Sequence, residues 1–238
     1  MERLAEALDR LRRTSEVEKE LLLADELNRT PPKTQAALLE AMAERTVSHA
    51  GVTRPLPRPF FVLATQNPIE QAGTYPLPEA QLDRFLLHVA LGYPDAREEQ
   101  DILARTTGST DAVVPKVMHA DDVLALQALV RQVHISDALL AWITALVRAT
   151  RPGEGAPEVV REYVRWGAGP RAGQSLVLAA KARALLQGRL AATREDVAAL
   201  LAPVLRHRLV LSFAAEAAQT DADAVIAGLL RALPAPER

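Results

Sequence analysis

Leu21-Leu22-Leu23-Ala24 is an unbroken apolar run that ends in two adjacent carboxylates, Asp25 and Glu26. A short apolar run without alternation is the mark of a strand buried on both faces, as a parallel sheet requires. Parallel strands need long crossovers, usually helices, so this one hexapeptide points to an α/β layer. It also sets both carboxylates at the C-terminal end of a strand, where open α/β sheets bind their ligands. One carboxylate there can hold the water shell of a magnesium ion, and the other can orient an attacking water. The plainer alternative is a solvated strand end with two charges. A Gly-x-x-x-x-Gly-Lys-Ser/Thr loop, whose backbone cradles phosphates, stands nowhere in the chain, and its first glycine is Gly51.

The bulk properties narrow the classes. With 238 residues, 49% of them hydrophobic, the chain can build one large domain or two small ones. A net charge of −2 gives no basic field to draw it to nucleic acid. The absence of cysteine excludes disulfides and thiolate metal sites and fits a reducing cytoplasm. No apolar run approaches the roughly 18 residues of a membrane span, so no membrane insertion is expected. The first residues, Met1 to Glu6, are charged and lack a signal-peptide core.

Along the chain, Leu4, Leu8 and Leu11 predict a short amphipathic helix over residues 2–13. Thr30-Pro31-Pro32 predicts a helix start with Thr30 as cap, running to about Arg45 with Leu38, Leu39 and Met42 inward. Thr46–His49 and Val52–Leu56 flank Ala50-Gly51 as a hairpin. Phe60–Thr65 reads as a second buried strand. After a proline-punctuated loop, a short helix reaches Phe85, and Leu86–Leu91 reads as a third strand. Character changes at Gly92-Tyr93-Pro94, and no convincing strand follows. Asp95 with Glu98 makes a capping box. Helices are predicted over 121–132, 137–149, 171–187, 194–206 and 221–232, with Thr193 and Gly188 as boundary residues. Pro152–Pro157 is a glycine- and proline-rich loop and the expected mobile segment. The fold class is therefore α/β followed by all-α.

Three more polar residues stand where chemistry could use them. Asn67 follows the second strand, and its amide could bond a γ-phosphate or a water; Asn67-Pro68 could equally initiate a turn. Arg84, after Asp83, could stabilise phosphoryl charge in a neighbour's site or simply pair with Asp83 or Glu79. Arg171 opens a helix after Gly169-Pro170, which ordinary surface arginines also do. The five histidines show no metal-ligand spacing, and no Gly-x-Ser-x-Gly elbow is present.

In combination these residues resemble a known family. Leu22 to Arg29 with Pro31 to Met42 resembles the Walker B region of MoxR-type AAA+ ATPases. Ala64 to Gln71 and Gly73 to Phe85 are similar to its sensor 1 and finger segment, and Gly169-Pro170-Arg171-Ala172 to its sensor 2. The resemblance implies a partial AAA+ P-loop NTPase core with an incomplete parallel sheet over residues 21–93, a helical lid over 94–238, and an unmatched N-terminal helix in 1–20. It implies that Asp25 coordinates Mg and Glu26 polarises water. It implies that Asn67 is sensor 1, that Arg84 acts in trans on an adjacent subunit's ATP, and that Arg171 senses the γ-phosphate. Residues 46–56 would be the hairpin this clade carries, often toward the ring pore. Members form rings, usually hexameric, and remodel or activate proteins, commonly with a von Willebrand factor A-domain partner.

The chain departs from the family pattern in lacking the Walker A loop and its strand. Lys19 and Lys33 have no loop around them. The expectation is an N-terminally truncated family member in which Mg and ATP belong to the intact protein and binding by this chain alone is weak. Two alternatives stay open. One is a non-catalytic ring subunit that donates Arg84 in trans; the other is a helical protein-binding module.

Overall fold

The structure is a computed structural model that describes residues 21–49, 51–67, 73–108 and 117–236. The helix expected over 2–13 and the Pro68–Gln71 part of the finger segment lie outside the described residues.

The α/β part is built on two parallel strands, β1 (Leu21–Ala24) and β4 (Phe61–Ala64), in the register Leu21↔Phe61 to Ala24↔Ala64. Successive side chains on a strand point to opposite faces. Leu22 and Ala24 are buried, with Val62 and Ala64 packed beside them. Leu21, Leu23, Phe61 and Leu63 form the other face and are 48–61% exposed. Burial on both faces, expected from the unbroken apolar run, is thus found on one face. Among the described residues no element covers the second.

Between these strands lie helix α1 (Pro32–Glu44) and a hairpin of β2 (Thr46–His49) and β3 (Val52–Pro55). Proline in the first turn of α1 gives up only an N–H that a helix start leaves unpaired. Thr30 is not the cap: Pro31 holds that position, and the Thr30 hydroxyl donates to the Leu27 carbonyl, closing the 3-10 turn Leu27–Arg29. A hydroxyl committed to a carbonyl behind it as donor is turned away from the helix ahead. Leu38 and Leu39 are buried and Met42 packs against the core, as the periodicity requires. Gly51, at φ +80, takes the left-handed turn position of the hairpin.

After helix α2 (Glu79–Leu82), Leu86–Leu91 is not a strand. Leu87, Val89 and Leu91 are 37%, 66% and 91% exposed. A strand needs a ladder of bonds to a neighbouring strand, and this segment bonds instead to the end of a helix. The His88 N–H donates to Pro203 O (2.8 Å), and Arg206 Nη1 donates to His88 O (3.0 Å).

The helical part comprises α3 (Ala96–Thr106), α4 (Ala120–Gln132), α5 (Asp137–Ala149), α6 (Glu158–Tyr163), α7 (Pro170–Leu186), α8 (Arg194–Leu205), α9 (Phe213–Ala217) and α10 (Ala222–Ala232). The Asp95–Glu98 capping box is present, with the Glu98 N–H on Asp95 Oδ1 at 2.9 Å and the Asp95 N–H on Glu98 Oε2 at 3.0 Å. Gly188, at φ +72, ends α7 as expected. The helices close on their own core, in which Leu146, Leu176, Leu201, Leu205 and Leu229 are almost fully buried. One expectation fails here, because β5 (Val164–Trp166) and β6 (Val210–Leu211) pair antiparallel. At three and two residues they are too short to show alternation, and each follows a helical segment with at most one residue between.

Candidate functional site

The ends of β1 and β4 are level, and the chain leaves them at Asp25 and Thr65. The ladder runs one step further: the Thr65 N–H donates to Ala24 O (3.0 Å) and the Leu27 N–H to Thr65 O (2.9 Å). Between these bonds the Thr65 hydroxyl works in both directions. It donates to Asp25 Oδ1 at 2.6 Å and accepts the Glu26 N–H at 2.8 Å. Glu26 lies in the left-handed region, at φ 49 and ψ 52, which an unbranched non-glycine residue adopts at modest cost. Its carboxylate meets Arg29 Nη1 at 3.2 Å, on the exposed rim.

Asn67 belongs to the same end of the sheet. Its carbonyl accepts from Asn28 Nδ2 at 3.2 Å. The Asn28 carbonyl in turn accepts the Tyr75 N–H at 2.6 Å, and Gln35 Nε2 bridges Leu27 O (3.2 Å) and Tyr75 O (3.0 Å). Gln35 is buried, so this network fixes the loop that carries Tyr75 against the turn after β1. Asp25, Glu26 and Asn67 are therefore gathered at one rim.

Arg84 and Arg171 are held elsewhere, at the junction of the two parts. Arg84 Nη1 donates to Leu39 O at 2.8 Å, so neither Asp83 nor Glu79 is its partner. Asp83 instead receives two guanidinium groups. Its Oδ2 meets Arg171 Nη1 at 3.2 Å and its Oδ1 meets Arg208 Nε at 2.8 Å. Arg208 is buried and also donates to the carbonyls of Asp83 (3.1 Å), Phe85 (2.7 Å) and Val204, and to Ser175 Oγ (3.2 Å). Burial lowers its pKa while Asp83 raises it. Among the described residues no hydrogen bond or ion pair joins Arg84 or Arg171 to Asp25 or Glu26.

Beside Arg208, His207 donates from Nε2 to Phe85 O at 3.1 Å, which requires the proton on Nε2. Its Nδ1 is buried without a partner among the described residues. Burial, then the Arg208 charge, pushes its pKa down to about 4, so the ring is neutral. His88 packs edge-on against it at 5.8 Å and is shifted down as well, chiefly by burial.

Sequence reasoning missed Thr65, Asp83 and Arg208. Thr65 offers only its place one step past a strand, level with Asp25. Asp83 and Arg208 are 125 residues apart, and only the packed junction brings them together.

Asp25 suits a magnesium ion. It is exposed, one of its oxygens is held in place by a hydroxyl, and magnesium keeps most of its waters when bound through one or two carboxylates. Among the described residues no group of three or more metal-type side chains exists, so an ion at Asp25 would depend on water and phosphate for its other ligands.

Comparisons with known proteins give the family. The model of the ATPase family associated with various cellular activities matches residues 7–87, and that of the AAA lid domain matches residues 157–228. The first match begins ahead of β1, inside the segment for which the motifs showed no counterpart. Chaperone MoxR1 of Mycobacterium tuberculosis is 43% identical over 217 residues, which is 91% of this chain and 57% of that protein. The uncharacterized protein YeaC of Bacillus subtilis is 41% identical over 91% of this chain and 65% of its own length. A crystal structure of a candidate ATPase from Cytophaga hutchinsonii superposes with a TM-score of 0.85 at 40% identity, covering 92% of this chain and 67% of that one. A parallel α/β core with paired carboxylates at its rim, followed by a helical lid, is the class of AAA+ ATPases. Within that class, the chain belongs to the MoxR-type family. It spans between half and two thirds of the length of these curated relatives.

Proposed function

We propose that these 238 residues supply the magnesium- and water-handling side of an ATP hydrolysis site in a MoxR-type ring that remodels or activates protein partners. The observation that supports this reading is the Asp25–Thr65–Glu26 linkage at the level ends of two parallel strands. Magnesium, when bound, neutralises charge on the β- and γ-phosphates. Asp25 holds it, Glu26 orients the attacking water, and Asn67 contacts the γ-phosphate or that water from the next strand. Arg171 reads the γ-phosphate from the lid, which requires it to leave Asp83. Without a phosphate-cradling loop the chain by itself grips ATP weakly, because positioning supplies most of phosphoryl-transfer catalysis. A cytoplasmic setting and a von Willebrand factor A-domain partner are part of the proposal; nucleic acid is not. Among the described residues no helix is long and apolar enough to cross a membrane.

A second reading is favoured by Arg84. It is exposed, and among the described residues it bonds a neutral carbonyl and forms no ion pair. Such a guanidinium is free to serve a neighbouring subunit's phosphates. Mixing separates the two readings. The chain is added to a complete family member and the ATPase rate is followed. A gain lost with Glu26→Gln in the added chain supports its own hydrolytic site. A gain lost with Arg84→Ala and kept with Glu26→Gln supports the donor. No gain in any mixture contradicts both and leaves a helical binding module.

A further inference from the structure

We propose that Thr65 is a positioning residue whose one hydroxyl fixes the Asp25 carboxylate and the Glu26 backbone. The inference rests on the reading of Asp25 as the magnesium ligand and adds a residue to it. Thr65 itself touches neither nucleotide nor water in this scheme; it acts through Asp25 and Glu26.

Three observations support it. The hydroxyl proton goes to Asp25 Oδ1 at 2.6 Å, a short charge-assisted bond. That bond occupies one carboxylate oxygen and leaves the other for a cation. A lone pair of the same oxygen accepts the Glu26 N–H at 2.8 Å. Glu26 is one of three non-glycine residues with positive φ among the described residues, and this bond helps hold it there. The left-handed step turns the chain between Asp25 and the Leu27–Arg29 turn, so it sets the direction in which the Glu26 carboxylate leaves the backbone. Finally, the register places Thr65 by necessity. Ala24↔Ala64 is the last pair of the ladder, and the Thr65 N–H to Ala24 O bond locks the next residue opposite Asp25.

Serine preserves the hydroxyl. Valine preserves shape and strand preference and removes only the donor and acceptor. Hydrogen-bonded partners of metal ligands typically change metal affinity by tenfold or more. The test uses manganese alone as a paramagnetic substitute for magnesium, with no nucleotide, on the full chain. The free Mn2+ signal in electron paramagnetic resonance gives the bound fraction, and thermal melting checks folding.

The expected result is weak binding, saturable only at high metal because no phosphate shares the ion, that Asp25→Asn abolishes, that Thr65→Val weakens about tenfold, and that Thr65→Ser restores to within about twofold. In parallel, hydrogen exchange at the Glu26 amide speeds up in Thr65→Val and not in Thr65→Ser. Should Thr65→Val fail to fold, Thr65→Ala against Thr65→Ser makes the same comparison. Binding that is lost in Asp25→Asn but unchanged in Thr65→Val, with unchanged Glu26 exchange, overturns the role of Thr65 and leaves the magnesium reading intact. Equal binding by wild type and Asp25→Asn, or none by wild type, overturns the magnesium reading and the positioning role with it.

Discussion

Asp196 is a buried carboxylate shared by two guanidinium groups. Its side chain is fully buried, yet it is ionised, because Arg183 (2.8 Å) and Arg189 (2.6 Å) both reach it and the Thr193 N–H caps it at 2.9 Å. These partners outweigh the burial that opposes its charge and hold the pKa well below the ordinary value. The two arginines are each about a third exposed and can turn to water when the carboxylate is removed, so the main loss is the bond that caps Thr193. Asp196→Ala is expected to lower the stability of the lid by about 1–2 kcal/mol, read as a shift in urea midpoint at unchanged slope. His207 sets a separate dependence on pH. Its folded pKa of about 4 lies below the unfolded value of 6.5, so the unfolded state takes up a proton first as pH falls. Stability is then level above pH 6.5 and declines between about 6.5 and 4. His207→Gln reduces the slope of that segment of a plot of melting temperature against pH and leaves the part due to His88, whose pKa burial also lowers. Asp196 contributes its own loss only below its unfolded value of 3.8, so the two windows do not overlap.

At the scale of elements, two glycines in or beside the lid core predict opposite outcomes. Gly173 lies inside α7, and a Cβ there would meet only Val147 Cγ2 at 3.9 Å, an ordinary contact. Gly173→Ala is expected to stabilise by about 0.5–1 kcal/mol through helix propensity. Gly167, just after β5, has Thr150 O at 2.4 Å and Arg151 Cα at 2.7 Å from the position of a Cβ, so main chain would have to move. Gly167→Ala is expected to destabilise by about 2 kcal/mol. Differential scanning calorimetry on both variants gives the signs. The long elements were legible because their periodicity is local: α5, α7 and α8 fall within a residue or two of the ranges read from sequence. The two-residue β6 and the three-residue β5 were not, since a pair so short is specified by its neighbours. Leu86–Leu91 carries a strand's composition, but its main-chain partners are Pro203 and Arg206, far along the chain. The candidate site divides in the same way. Asp25, Glu26 and Asn67 follow strands and could be placed by counting, whereas the Asp83 clamp on Arg171 and Arg208 arises from tertiary packing.

At the scale of the whole molecule, the apolar face of β1 and β4 is one that no element among the described residues covers. Leu21, Leu23, Phe61 and Leu63 stand together on it as cross-strand neighbours. Parallel sheets with an uncovered face are rare, and open apolar edges favour pairing between chains. The purified 238-residue chain is expected to self-associate, and Leu23→Lys with Phe61→Lys to shift sedimentation velocity profiles toward monomer. Monomeric behaviour of the unsubstituted chain would mean that the face is covered. The proposal of a carboxylate rim that handles magnesium and water, in 238 residues without a glycine-rich phosphate loop, makes ATP affinity the most direct measurement. Titration of magnesium-ATP into the purified chain by isothermal calorimetry is expected to show no saturable heat at micromolar nucleotide. Tight, saturable binding that Asp25→Asn weakens would show that another element of the chain cradles the phosphates, and would contradict the division of labour proposed here.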